Sequence, residues 1–183
     1  MAFLPPNTRA DYSPPFARTD YSPDADEHTI EDAVQGIEDI IRSSFPAILE
    51  QIMAERKDGI ILEPIRSYEW EEVHNALKST PCAIIIGEEE LNPEATKERN
   101  YIAIVTVYII VVDRSKTMLT RKLFRYGHAL RRMLRPALGY TLHRVVSSAT
   151  IRRIQYSPTF VDRDQLFARD LRADIECKII RPC

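Results

Sequence analysis

Few side chains in this sequence have the type and spacing that covalent or metal chemistry needs. The candidates for ligation or nucleophilic attack are His28, His74, His128 and His143 with Cys82, Cys177 and Cys183. A structural zinc site draws its thiolates and imidazoles from closely spaced pairs such as C-x-x-C, and these residues form none. No motif places a Ser or Cys nucleophile beside His128, which reads as a surface residue. Glu88, Glu89 and Glu90 put three carboxylates side by side, but consecutive acids on a loop are ordinarily just solvated, and no metal is expected there. A Gly-rich phosphate cradle, a G-x-S-x-G elbow and an H-E-x-x-H helix are all missing from a chain with five glycines. The expectation is no catalytic residue, no metal and no cofactor, hence not an enzyme. The cysteines read as reduced thiols, with Cys82 and Cys177 acting as small apolar groups inside strands.

What remains is electrostatic. The net charge is −2, yet residues 1–99 carry 9 Lys plus Arg against 21 Asp plus Glu, or −12, while residues 100–183 carry 16 against 6, or +10. Such a chain can stack on copies of itself or on a partner of complementary sign, unless the two pools mix on the folded surface. The positive pool is densest over 117–134, where Leu119, Leu123, Tyr126, Leu130 and Leu134 mark one helical face. Arg121, Lys122, Arg125, His128, Arg131, Arg132 and Arg135 spread around the rest. No acid interrupts residues 114–161. One use for this helix, 117–135, is a nucleic-acid-binding module that holds phosphates; the acidic first half and a pI near 6.1 weigh against it.

The element that must position this helix is the run from Tyr101 to Val112, apolar at both odd and even positions and rich in Ile and Val. It reads as a central strand buried on both faces, and at 12 residues it is too short for a membrane span of roughly 20. Asp113-Arg-Ser-Lys116 turns it into the basic helix. Upstream, Thr29-x-x-Asp32 suggests a helix cap, and Val34, Ile37, Ile40, Ile41, Ile48, Leu49, Ile52 and Met53 keep helical spacing. Pro46 predicts a kink or a restart with Ser44 as cap, and Asp58-Gly59 an end. Short extended pieces are expected at Ile60–Leu62 and Ile65–Trp70, a possible helix at Glu69–Lys78, and a strand at Pro81–Ile86 closed by Gly87. Two late strands follow, Thr141–Tyr156 and Asp164 or Gln165 to Ile180. In the second, Phe167, Leu171, Ala173, Ile175, Cys177 and Ile179 alternate with Asp170, Arg172, Asp174, Glu176 and Lys178, giving one dry and one wet face. The loop from Tyr156 to Asp164 is long enough to project.

Residues 1–27 cannot build a core. Pro5-Pro6 and Pro14-Pro15 favour extended backbone, and Asp11-Tyr-Ser-Pro14 recurs as Asp20-Tyr-Ser-Pro23, with Tyr156-Ser-Pro158 as a later echo. A stiff arm of this kind loses little entropy on docking, and Phe3, Tyr12, Phe16 and Tyr21 are its natural anchors on a neighbouring protein. Apolar content of 44% and charged content of 28% are those of a soluble globular domain. Met1-Ala-Phe-Leu-Pro-Pro lacks the features of a signal peptide, so secretion is not expected. The organisation is thus an extended Pro-rich docking arm, 1–27, and a single α+β domain, 28–183. The domain is expected to hold a mixed or antiparallel sheet of about four main strands flanked by helices.

In order, the chain runs arm, helix with Ile37-Glu-Asp-Ile-Ile41, strand 81–86, long strand 101–113, basic helix 117–134 and two late strands. That plan, over roughly residues 29–181, resembles the tail terminator (tail-completion) proteins of long-tailed bacteriophages and related contractile injection particles. The resemblance implies a structural virion protein, a homo-hexameric ring that caps the tail tube and joins the tail to the neck or head. Its partners would be the tail tube protein, the sheath if the tail contracts, neck or connector proteins, and DNA passing through the lumen without sequence recognition. No membrane partner is implied. Its place would be the tail-neck junction of the virion, assembled in the host cytoplasm. Arg121, Arg125, Arg131 and Arg132 would then line the lumen or a face between subunits. A different head-tail connector or neck adaptor is the nearest alternative.

Overall fold

The computed structural model describes residues 30–70, 79–89, 100–134, 146–161 and 166–180. The arm, with Phe3, Tyr12, Phe16 and Tyr21, lies outside the described residues. So do His28, His74, His143, Cys183, the cap at Thr29 and most of the helix expected over Glu69–Lys78. Glu69 itself belongs to a strand.

Helix α1 spans Ile30–Arg56 without a break, with Glu31 and Asp32 at its positive N-terminal end. The helix does not restart at Pro46 but runs through it. A proline inside a helix costs about 3 kcal/mol, but Ile37, Ile41, Phe45, Leu49 and Ile52 are all buried on one face, each contributing roughly 1.5–3 kcal/mol by leaving water. Continuity keeps that face whole. The helix closes at Lys57, which takes a left-handed φ of 50° as its N–H bonds the Met53 carbonyl at 3.1 Å. Ile60–Leu62 forms no strand, although it keeps the alternation expected of one: Ile60 and Leu62 are buried and Ile61 is exposed.

The strands are β1 (Ser67–Glu69), β2 (Cys82–Glu89), β3 (Asn100–Asp113), β4 (Val146–Tyr156), β5 (Phe160–Val161) and β6 (Phe167–Ile180), with helix α2 at Lys116–Leu134 between β3 and β4. They form one mixed sheet in the order β1-β2-β3-β6-β4, with β5 also paired to β6; only the β1/β2 pairing is parallel. The α+β class and the mixed sheet are therefore as expected, with four long strands and two very short ones among the described residues. The strand expected to close at Gly87 continues through it to Glu89. This glycine instead permits close packing, since a Cβ there would lie 2.7 Å from Ile30 Cγ1 and Val34 Cγ2 of α1.

β3 is central, as its sequence implied, but its two faces differ. Ala103, Val105, Val107, Ile109 and Val111 are buried with Leu171, Ala173, Ile175, Cys177 and Ile179 of β6 in one core, and α1 and α2 both pack on that side. On the other side no described helix covers the sheet. There Cys82, Ile84 and Ile110 form a small cluster with half-buried Ile86 and Tyr108, and Thr106 donates to Asp174 Oδ1 at 3.1 Å. β4 is an edge strand guarded by two register irregularities and by exposed Arg152 and Arg153, which discourage pairing with a further strand.

Candidate functional site

The site the sequence points to is α2, and the turn that launches it is built by Asp113 and Ser115. Asp113 Oδ1 accepts from the Ser115 N–H at 2.8 Å, and Ser115 Oγ accepts from the Met118 N–H at 3.4 Å, capping the helix one residue earlier than Thr117. Lys122 reaches back to Asp113 Oδ2 at 2.7 Å. Burial pushes the Asp113 carboxyl up, yet the Lys122 ammonium and the Ser115 N–H outweigh it and hold the group below its ordinary value.

The inner face of α2 is the expected one with additions: Leu119, Leu123, Tyr126, Leu130 and Leu134, joined by Ala129 and Met133. Tyr126 stacks on Phe45 of α1 with ring centroids 6.0 Å apart, and its hydroxyl donates to the Glu63 carbonyl at 2.6 Å. Gly127 faces β4, where a Cβ would meet Tyr156 Oη at 2.4 Å. The Tyr156 ring in turn meets Phe124 edge-on at 4.9 Å. The segment after Tyr156 does not project over its described part. Ser157 bonds the Asp170 backbone in both directions, and Phe160 and Val161 pair with β6.

The fold sorts the four arginines singled out from sequence into two pairs. Arg125 grips Asp58 with both guanidinium nitrogens, and Arg132 grips Glu55 at 2.7 and 2.8 Å. These hydrogen bonds hold the Glu55 and Asp58 carboxyls below their ordinary values. The two charge pools thus partly mix inside the subunit, where α2 crosses the C-terminal end of α1. Arg121 and Arg131 are exposed and make no ion pair among the described residues. His128 stands between them on the surface. Partial burial, then the charges of Arg132, Arg56 and Arg131, lower its pKa against the opposing pull of Glu55.

Two features were not foreseen. Glu38, on α1, is almost fully buried and accepts hydrogen bonds from Arg42 Nε at 2.6 Å and from Trp70 Nε1, tying the C-terminal end of β1 to α1. An apolar helical pattern hides such a residue, because its partner lies 32 positions away. A cavity of about 300 Å³ lies among Tyr108, Gln155, Tyr156, Ser157, Asp170 and Arg172, which come from three strands and the turn after β4. Ser157 Oγ and Arg172 Nε are already bonded there, to the Asp170 backbone and to Asp174.

No three of His, Cys, Asp and Glu converge to hold a metal among the described residues, and no described helix is long and apolar enough to cross a membrane. Burial pushes the Cys82 thiol up to about 11 and the Cys177 thiol up to about 12. Iodoacetamide at pH 8 is therefore expected to spare both in the folded chain and to label both in urea, as read by peptide mapping. Rapid labelling of either in native buffer would contradict their burial. No protein-family model matches the chain, and no curated protein matches it.

Proposed function

We propose that the protein is a structural virion component, a tail terminator that closes as a hexameric ring on the tail tube and joins the tail to the neck or head. The observation that carries this reading is the element order together with its packing. A helix, a strand, a long central strand, a basic helix and two late strands follow one another, and both helices share one face of a single sheet. This is the plan on which the resemblance to tail terminators rests, and its layers leave one sheet face and the outer side of α2 for contact with other subunits. A heterologous contact of this kind closes into a ring when its rotation permits. The partners would be copies of itself, the tube protein, neck proteins and DNA in the lumen, at the tail-neck junction of the virion.

Native mass measurement at micromolar concentration, with and without purified tail tubes, tests the reading, backed by particle images of tube ends. A closed ring, free or on tubes, is expected. A strictly monomeric mass in low and moderate salt, unchanged by tubes, overturns it.

A further inference from the structure

Arg121, Phe124, His128 and Arg131 fall at helical spacings on one side of α2, Arg114 stands in the turn just before it, and all five are exposed, Phe124 to 51%. The stripe carries no acid, and the acids that pair with α2 among the described residues are committed elsewhere: Asp113 to Lys122, Asp58 to Arg125 and Glu55 to Arg132. An aromatic ring among guanidinium groups that make no ion pair with the described residues fits an acidic segment that also offers an aromatic side chain.

This chain contains such a segment. Residues 20–27 hold Asp20, Asp24, Asp26 and Glu27, no basic residue, and Tyr21. Extended, they span about 23 Å at ~3.3 Å per residue, enough to cover the about 15 Å from Arg121 to Arg131 at ~1.5 Å per residue. They end just before Ile30, whose side chain packs beside Gly87 at the N-terminal end of α1. Arg131 sits at the other end, next to the Arg132 that bonds Glu55, which is about 37 Å from Ile30 along the helix. Asp24, Asp26 and Glu27 are within about 20 Å of chain from Ile30, too short to bring them to Arg131 of their own subunit.

We infer that the exposed stripe of Arg121, Phe124, His128 and Arg131 on α2, with Arg114 just before the helix, receives the acidic segment 20–27 of a neighbouring copy. The inference rests on the ring reading for the presence of that neighbour. It names the receptor for the arm and the role of the two arginines that have no ion pair among the described residues. Tyr21 packs against Phe124, while the carboxylates meet Arg121 and Arg131 in an exposed contact weakened by salt.

Two measurements test it. In the first, a fluorescein-labelled peptide of residues 17–29 is titrated with the full chain. R121E/R131E is expected to weaken binding at least about tenfold, with an unchanged circular dichroism spectrum, since both positions are exposed. In the second, native mass compares R121E/R131E, the arm reversal D24K/D26K/E27K, and one chain carrying all five changes. Each set alone is expected to reduce the ring, and the combination to restore it by exchanging the signs. Rings that form equally well in both single sets overturn the docking and leave the ring reading intact. A monomeric wild-type chain defeats the ring reading instead, and the peptide then decides the docking alone: binding lost in R121E/R131E supports it, and absent or unchanged binding overturns it. Loss of oligo(dT) binding in R121E/R131E with peptide binding unchanged would make the stripe a nucleic-acid surface and also overturn it.

Discussion

Phe45→Ala is expected to lower the free energy of unfolding by about 3–5 kcal/mol, the range for removing a buried aromatic ring from a packed core. Phe45 is 1% exposed and stacks on Tyr126 where α1 crosses α2. The truncation removes apolar burial and leaves a cavity that the two helices cannot close without disturbing the bond from Tyr126 to the Glu63 carbonyl. It also removes a side chain adjacent to Pro46, where the helix lacks an internal hydrogen bond, so the interface that keeps α1 continuous weakens at its most vulnerable point. Against a total stability of about 5–15 kcal/mol this is a large fraction. Urea denaturation followed by circular dichroism reads it directly. A loss under about 1 kcal/mol would mean that the helices repack and that Phe45 does not hold them together.

Glu38→Ala is expected to cost about 1–3 kcal/mol, chiefly because the Trp70 indole N–H loses its acceptor in a half-buried place. Arg42 loses the same partner but is 52% exposed at its side chain and lies over the Tyr68 ring at 3.8 Å, so water and the ring replace much of what it gave up. Glu38→Gln keeps an acceptor for Trp70 and is expected to recover most of the loss. Trp fluorescence follows this site without interference, because Trp70 is the single tryptophan. Equal stability of the Ala and Gln variants would show that the carboxylate fills space rather than anchoring the β1 end of the sheet.

The neighbourhood of Glu38 shows where a sequence stops being readable. Its position in α1 was clear from the spacing of Ile37 and Ile41, but its burial depends on Trp70, which arrives from another element. The same holds for Gly87. It reads locally as the end of a strand and in the fold as a place where Ile30 and Val34 of α1 pack directly on the backbone of β2. Pro46 marks a break by the backbone rule, and the rule lost to five large side chains buried along one face.

The α+β class, β3 as the central strand, the dry and wet sides of β6 and the inner face of α2 were all legible in the order of residues. Each follows from periodicity, and periodicity is a local property: the spacing of apolar residues along a strand or helix decides which side turns inward whatever lies opposite. Packing alone sets both described helices on one face of the sheet, and it matches Arg125 and Arg132 with acids of the subunit while Arg121 and Arg131 have no ion pair among the described residues. Arg125 and Asp58 are separated by 67 residues and Arg132 and Glu55 by 77, so their pairing is set by how α2 crosses the end of α1. A charge pattern counts the cations on a helix, but only the crossing of two helices settles which of them already have partners.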